Sequence, residues 1–372
     1  MILFDFLLST LLLGHIPNIL FYLKFGFFPK IYLFDITVFF IFIYSFFLRN
    51  FRAKRADTLI LLFFIINTIF LILNTKLLFA YNSFFYLVRL LIYLWSYPYF
   101  LYVISKYPFK FLKRLLIFSF FLNIFYLLLF YLYPNLYLPF YDPHRGRLYG
   151  PLFDPNLYAI IILTTSLFLL EYFFKSRSNR ALFVLSLSFL SIYLTYSRIG
   201  ILSLFLIFII YLFKTRNYLV VLTILGFIGL IISSPLYLSR FLFVEGHKTS
   251  FILRIQSYIE GSLLFNKSII PFGFNNIKIY KYFLVGATNN SASYTDSLIL
   301  NLLLTGGVLN IFFLFLLLYF LYTTAKSSQS SVFLIPFLIV MTSLAFNTFF
   351  HPYFIIFFIW SYIWSLIPKK ES

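Results

Sequence analysis

Cysteine is absent from this chain of 372 residues, which excludes disulfide bonds, thiolate nucleophiles and thiolate metal ligands. The four histidines are scattered and form no HExxH-like pair, so they favour no built-in zinc site. Charged residues make up only 10% of the chain, and no acidic residues stand in DxD spacing. We therefore expect neither a metal ion nor any other cofactor.

Apolar residues dominate the sequence. Hydrophobic residues account for 62% of it and aromatic residues for 24%, with a mean hydropathy of +0.97. This composition is too apolar for a soluble domain and is typical of a polytopic membrane protein. The net charge of +19 does not indicate nucleic-acid binding, because the basic residues lie in short loops between apolar runs, where they set topology or meet lipid headgroups. We predict an all-α membrane bundle, with residues 1–372 forming one integral membrane domain.

A membrane-spanning helix takes ~20 mostly apolar residues. Twelve runs, some of them short, are predicted to span the bilayer: 2–22, 31–48, 57–74, 84–104, 112–133, 156–174, 181–196, 199–213, 217–234, 297–322, 331–349 and 352–367. The first run has no basic leading segment and no small-residue cleavage site. It is therefore predicted to be a retained helix and not a signal peptide.

Lysine and arginine are concentrated in every second short connection, and such connections are typically cytoplasmic. The basic residues of this set are Arg49, Arg52, Lys54 and Arg55; Lys106, Lys110, Lys113 and Arg114; Lys175, Arg177 and Arg180; Lys214 and Arg216; Lys326; and Lys369 and Lys370. Both termini are therefore expected in the cytoplasm, and the long polar segment 235–296 is expected on the outer face.

The segment 235–296 is the only long polar interruption of the apolar sequence. Within it, Thr249 or Ser250 can cap an amphipathic helix. Its apolar stripe would consist of Ile252, Leu253, Ile255, Ile259 and Leu263, and its other face would carry Arg254, Ser257 and Gly261. Such a helix is predicted to lie at a membrane surface, with Arg254 on its polar face directed toward a bound ligand.

Four arginines fall in three predicted outward loops, namely Arg145, Arg147, Arg198 and Arg254. By its position alone, Arg198 is more typical of a snorkelling anchor than of a binding residue. Because three loops of one bundle can meet over a common mouth, and because the guanidinium grips phosphate oxygens bidentately, two or three of these arginines suit a metal-free pyrophosphate site. Arg89 stands in mid-helix, where a charge is costly. It either lines a cavity that reaches the outer face or bonds to helix carbonyls inside the bundle.

Seven outward or near-outward groups could accept a proton: Asp142, His144, Asp154, Glu245, His247, Glu260 and Asp296. We expect most of them to be solvated loop residues. At most one is expected to be a true general base.

Four segments, in order along 147–309, resemble the landmarks of the O-antigen polymerase and ligase superfamily. They are RLYGPLFDPNLYAIIIL (147–163), LTYSRIGILSL (194–204), ILRIQSYIEGSLLF with the following PFGF (252–274), and TDSLILNLLLTGGVL (295–309). The ligases of this superfamily carry a histidine followed by Asn, Ser or Gln ahead of the glycine of the last segment. Counted back from Gly306, the matching pair here is Thr295 and Asp296, which favours the polymerase branch.

The resemblance implies a glycosyltransferase of the bacterial inner membrane that joins undecaprenyl-pyrophosphate-linked oligosaccharides at the periplasmic face. Its implied partners are the lipid-linked donor and acceptor, membrane lipids and a chain-length regulator protein. Arg198 and Arg254 would bind the pyrophosphate, and Arg147 would be a third such residue or contact the acceptor lipid. Arg89 joins this set if it lines a cavity. Asp296 is the first candidate for the general base and Glu260 the second.

Two alternatives remain open. One is an O-antigen ligase, which transfers finished polymer to a lipid core. The other, from a different class, is a flippase or other transporter of lipid-linked oligosaccharides. A flippase should carry charged residues along the helices that line its pathway, whereas here only Arg89 is unambiguously within the membrane.

Overall fold

The computed structural model describes most of the chain, with several gaps. The described residues are 1–26, 31–48, 54–73, 80–134, 146–215, 226, 229, 233, 235, 248–267, 271, 298–327, 332, 334–346 and 351–366. Every regular element among them is helical, which confirms the predicted all-α class.

The helices follow the apolar runs of the sequence. They are α1 (Ile2–Leu13), α2 (Ile16–Phe25), α3 (Leu33–Ser45), α4 (Lys54–Leu73), α5 (Ala80–Leu94), α6 (Tyr97–Lys106), α7 (Pro108–Leu132), α8 (Pro155–Ser176), α9 (Asn179–Leu194), α10 (Arg198–Thr215), α11 (Lys248–Lys267), α12 (Leu298–Ser327), α13 (Leu334–Phe346) and α14 (Pro352–Leu366).

Helices occupy the positions of the predicted spans wherever the chain is described, whereas 217–234 lies almost wholly outside the described residues. Among the described residues, four helical segments are long and apolar enough to cross a membrane, or five if the bent pair α1 and α2 is one span. The four are Phe84–Lys106, which combines most of α5 with α6, Pro108–Leu132, Pro155–Ser176 and Leu298–Phe315. The structure thus has several membrane-capable helices, and the number of twelve spans remains a prediction.

The chain divides into two compact units. Unit 1 consists of Met1–Thr37, Val103–Glu245 and Ser330–Leu338, and unit 2 consists of Val38–Tyr102, Gly246–Gln329 and Ile339–Ser372. In unit 1, α7, α8 and α9 pack against one another, α10 packs on α8 and α9, and α1 packs on α7. Every residue from Tyr158 to Leu169 is buried. Helix α8 is therefore the central helix of this unit.

Small residues allow α10 to approach α8 closely. A Cβ atom added to Gly200 of α10 would lie 2.6 Å from the Cβ of Ala159 in α8, closer than two carbon atoms can pack. Close contact of this kind is how helices associate in a membrane, where lipid is as apolar as the side chains and packing supplies the attraction. The contact fixes the start of α10 beside the start of α8.

The first predicted span, 2–22, is not one straight helix. Helices α1 and α2 meet at an angle of 61°. The break falls at Gly14, whose φ of +53° suits glycine, and at His15, whose backbone N–H donates to the carbonyl of Pro151 at 2.8 Å. A side chain at Gly14 would collide with Pro151. The bend therefore makes room for the segment that contains Pro151.

In unit 2, α4 packs on α5 and α12, α12 also packs on α11 and α14, and α14 packs on α5. Two fully buried asparagines join α4 to α12. Asn67 Nδ2 donates to Asn310 Oδ1 at 3.1 Å, and Asn310 Nδ2 donates to Asn67 Oδ1 at 3.0 Å. Helix α12 is kinked nearby at Gly307, which has φ +61° and ψ −149°. The reciprocal amide pair satisfies polar groups that would be costly to leave unpaired in an apolar interior.

The contact between α8 and α10 predicts the outcome of a double substitution. Gly200→Ala should lower the free energy of unfolding by about 1–3 kcal/mol, because the new methyl group overlaps Ala159. Adding Ala159→Gly should recover part of this loss. The measurement is thermal unfolding of the purified protein in detergent, arranged as a double-mutant cycle.

Gly226→Ala is the matched control, since a Cβ there meets no atom within 4 Å. Additive effects of Gly200→Ala and Ala159→Gly would contradict a direct contact between the two residues.

Candidate functional site

A buried, non-helical segment, 146–154, connects to the start of α8. All residues from Arg147 to Phe153 are buried. Irregular backbone is tolerated inside a membrane protein only where protein partners or a water-lined cavity satisfy its polar groups. Leu148 N–H donates to Leu194 O at 2.9 Å, Phe153 N–H donates to Gly150 O at 2.9 Å, and Pro151 O accepts from His15. The segment is thus bonded to α9 and to the bend between α1 and α2.

Tyr149 anchors the same segment to the end of α7. Its hydroxyl donates to Tyr133 O at 3.1 Å, and its ring stacks on Phe153 with centroids 5.5 Å apart. Burial raises the pKa of Tyr149 to about 12, because the phenolate would lose its hydration. The phenol therefore stays protonated and able to donate at neutral pH.

Two helices of unit 1 begin side by side at this segment. Asp154 caps α8: its Oδ1 accepts from Asn156 N–H at 2.6 Å and from Leu157 N–H at 3.1 Å, while Pro155 takes the first helical position. Ser197 plays the same part for α10, since its Oγ accepts from Gly200 N–H at 3.1 Å. The Ser197 hydroxyl also donates to Asn156 Oδ1 at 2.9 Å. One hydrogen bond thus joins the two N-termini.

Arg147 is buried at this junction, with 8% of its surface exposed. Its Nε donates to Thr195 O at 2.9 Å, and its Nη2 donates to Asn156 Oδ1 at 3.2 Å. Thr195 follows the last residue of α9, so the guanidinium binds a carbonyl at the negative end of that helix. Arg147 therefore ties the end of α9 to the start of α8.

The junction has a positive electrostatic character. The N-terminus of a helix carries about half a positive charge, and α8 and α10 have 22 and 18 residues. Arg147 adds a full charge, and Arg198, the partly exposed first residue of α10, adds another. The carboxylate of Asp154 offsets part of this charge. Backbone N–H groups at helix N-termini next to arginines form a site suited to an anion.

Backbone strain accompanies both N-termini. Phe153, with φ +53°, directly precedes the cap Asp154, and Tyr196, with φ +47°, directly precedes the cap Ser197. A bulky residue in this left-handed region costs roughly 1–3 kcal/mol and persists only where surrounding contacts impose it. Such residues concentrate at functional sites, so this pair makes the junction a candidate for one.

Helix α11 in unit 2 carries Glu260, which is 4% exposed and whose Oε1 accepts from Gln256 Nε2 at 3.1 Å. Of the predicted apolar stripe, Ile255, Ile259 and Leu263 are exposed, as expected for a helix at a membrane surface. The side chains of Ile252 and Leu253 lie outside the described residues. The predicted N-caps are wrong: α11 begins at Lys248, so Thr249 and Ser250 lie inside its first turn. The carboxylate of Glu260 is on the face that packs against protein, not on the exposed stripe.

The remaining predicted site residues are distributed as follows. Arg89 lies in α5 of unit 2 and is partly buried. Arg254 lies in α11, but its side chain is outside the described residues. The positions of Asp142, His144, Arg145, Glu245, His247, Thr295 and Asp296 are also outside the described residues, and their roles remain predictions. Asp154, one of the seven possible proton acceptors, is the N-cap of α8.

Two polar residues of the junction were not predicted as site residues, namely Asn156 and Ser197. Both belong to the segments that carry the resemblance, and the Asp-Pro pair before Asn156 is a recognisable helix-start signal. The sequence contains no signal for their mutual hydrogen bond, because it spans 41 positions and depends on the packing of α8 against α10.

The central position of Asn156 predicts how the junction responds to substitution. Asn156→Ala should lower stability by about 1–3 kcal/mol, because Arg147 and Ser197 lose a partly buried acceptor. Asn156→Asp should retain stability, since a carboxylate accepts both hydrogen bonds. Thermal unfolding of the purified variants measures both effects.

Asn266→Ala, on the exposed face of α11, serves as a control and should change stability by less than about 0.5 kcal/mol. Equal stability of Asn156→Ala and the natural sequence would show that the junction does not depend on this amide.

Comparison of the chain with known proteins returns no similarity: no family model, no curated protein and no solved structure matches it.

Proposed function

We propose that this protein is a surface-polysaccharide polymerase of the O-antigen type, a metal-independent glycosyltransferase that acts on undecaprenyl-pyrophosphate-linked oligosaccharides. One observation carries the proposal. The R-x-x-G…PN and S-R segments, which carry much of the resemblance, contribute Arg147, Asn156 and Ser197 to one hydrogen-bonded junction with two helix N-termini. A junction of this charge supports an anion-binding role, and lipid pyrophosphate is the anionic part of the proposed substrate.

The proposed reaction is a direct displacement at the anomeric carbon of the donor. The acceptor hydroxyl oxygen forms a bond to that carbon, the bond from the carbon to the pyrophosphate oxygen breaks, and the lipid pyrophosphate leaves with the electron pair. The hydroxyl proton passes to a general base. Negative charge grows on the leaving pyrophosphate, so fixed cations and N–H groups that face it lower the barrier. The configuration at carbon is inverted.

The arginines of the junction have different proposed tasks. Arg147 is buried and bonded to Thr195 and Asn156, so it is suited to hold the junction in place and to supply a fixed charge. Arg198 is partly exposed at the first turn of α10, where it can meet a phosphate group beside the helix N-terminus. Arg254 and Arg89 of unit 2 remain proposed further pyrophosphate ligands.

Two residues are proposed for the base. Asp296 takes the place of the ligase histidine in the resemblance. Glu260 is supported by its burial, since a carboxylate enclosed by protein is more typical of a functional group than of a surface acid. Only one of them is needed to deprotonate the acceptor hydroxyl.

Arginine substitutions test the pyrophosphate site. Arg198→Ala and Arg254→Ala should abolish polymerisation of a defined lipid-linked repeat unit, scored as a product ladder. Lysine should rescue poorly, because an ammonium keeps the charge but loses the bidentate fork. Arg180→Ala, an exposed arginine at the start of α9, should leave the ladder intact and controls for the change in net charge. Substantial activity of both lysine variants would argue against phosphate clamping.

Conservative substitutions distinguish the two bases. If Asp296 is the base, Asp296→Asn should lower turnover on the order of 10²–10⁴-fold; if Glu260 is the base, Glu260→Gln should have this effect. The other variant should keep most of its turnover. Thermal unfolding of each variant measures any structural effect separately, and a base is identified by lost turnover at unchanged stability. Near-normal turnover of both variants would remove both residues from the mechanism.

A further inference from the structure

Unit 2 contains a cavity at the place where three of its helical segments end or break. The cavity has a volume of about 200 Å³ and is lined by Ser45, Phe46, Asp57, Trp95 and Pro98. Ser45 ends α3, and Asp57 lies in the first turn of α4. Trp95 lies in the break between α5 and α6, and Pro98 lies in the first turn of α6. None of these residues belongs to the proposed transferase site.

Among the described residues of the lining, Asp57 supplies the only ionisable group, and it is held in a defined orientation. Its Oδ1 accepts from Trp95 Nε1 at 3.1 Å and from Tyr97 OH at 3.0 Å. Within the described parts of the chain, no group donates to Oδ2. Both donors are neutral, so the negative charge of the carboxylate is not compensated by the residues that hold it. A cavity lined by such a group attracts a cation that can donate a hydrogen bond.

The volume of the cavity limits the size of this cation. It equals roughly seven water molecules, at about 30 Å³ each, which is far more than a single metal ion occupies. An ammonium group on a short carbon arm fills it better. The Ser45 hydroxyl, which donates to Ile41 O at 2.9 Å, retains acceptor capacity for one N–H of such a group.

Membrane lipids supply a cation of this kind. Phe46 of the lining is exposed, as is the adjacent Phe47, so the cavity borders an apolar surface suited to acyl chains. The sequence from 49 to 55, which leads into α4, contains Arg49, Arg52, Lys54 and Arg55, and a basic run of this kind attracts the lipid phosphate. A primary ammonium can donate to a carboxylate oxygen, whereas the quaternary ammonium of choline cannot.

We infer that this cavity, which we call the Asp57 pocket, binds the headgroup of phosphatidylethanolamine. The ammonium donates to Asp57 Oδ2 and to the Ser45 hydroxyl, beside the aromatic faces of Phe46 and Trp95. This lipid site is independent of the proposed polymerase activity.

Lipid retention by the purified full-length protein, measured by native mass spectrometry in detergent, tests the inference. Phosphatidylethanolamine and its mono-, di- and trimethylated derivatives are offered with identical acyl chains. Retention should fall as N–H groups are removed. The trimethylated lipid should be retained at least about tenfold less than phosphatidylethanolamine, since a hydrogen bond to a charged group contributes at least that factor. Equal retention of the four lipids would overturn the inference, and this series needs no variant.

Substitution then locates the site. Asp57→Asn keeps an oxygen for Trp95 and Tyr97 but removes the charge, and should lower retention of phosphatidylethanolamine to that of the trimethylated lipid. Glu171→Gln, which removes a carboxylate paired with Lys175 in unit 1, should leave the preference intact. An unchanged preference in Asp57→Asn would place the lipid elsewhere. Displacement of the lipid by an equimolar amount of soluble phosphoethanolamine would identify a small amine as the ligand and overturn the lipid assignment.

Discussion

The buried guanidinium of Arg147 is the group on which the architecture of unit 1 around segment 146–154 depends. In apolar surroundings every backbone polar group needs a partner, and helix ends present several that have none within the helix. Arg147 binds the carbonyl of Thr195 after α9 and the side chain of Asn156 at the start of α8. A neutral side chain of the same length would leave this carbonyl and this amide oxygen with fewer donors.

The same arrangement concentrates positive charge. The N-termini of α8 and α10 meet through the hydrogen bond between Ser197 and Asn156, and Arg198 begins the second of them. The left-handed backbone at Phe153 and Tyr196 sharpens the turns that bring these N-termini together. The contacts of Gly200 with Ala159 and of Gly14 with Pro151 keep the strained segments in place. Close packing thus offsets the energetic cost of the strained turns. The result is a preorganised junction suited to an anion.

In unit 2 the buried polar residues Asn67, Asn310 and Glu260 lie within helices and not at a junction of helix ends. Asn67 and Asn310 satisfy each other, and Glu260 is turned toward the protein while Ile255, Ile259 and Leu263 are exposed. Polar groups within a membrane protein are expensive and therefore concentrate where they stabilise packing or serve function. Glu260 and Asp57 are the described carboxylates of this unit, and they face different surroundings: Glu260 lies on the packed face of α11, and Asp57 lines a cavity.

The sequence by itself determined the all-α class, the positions of the described helices and the exposure of Ile255, Ile259 and Leu263 on α11, because apolar runs and helical periodicity are local properties. It also marked the start of α8 through Asp154 and Pro155. Two features were decided only by the tertiary structure. One is the bend at Gly14, where the backbone lies so close to Pro151 that a side chain would not fit. The other is the hydrogen bonding of Arg147 and Ser197 to Asn156. These contacts join residues far apart in the chain, and their geometry depends on how α8, α9 and α10 pack, which no local pattern encodes.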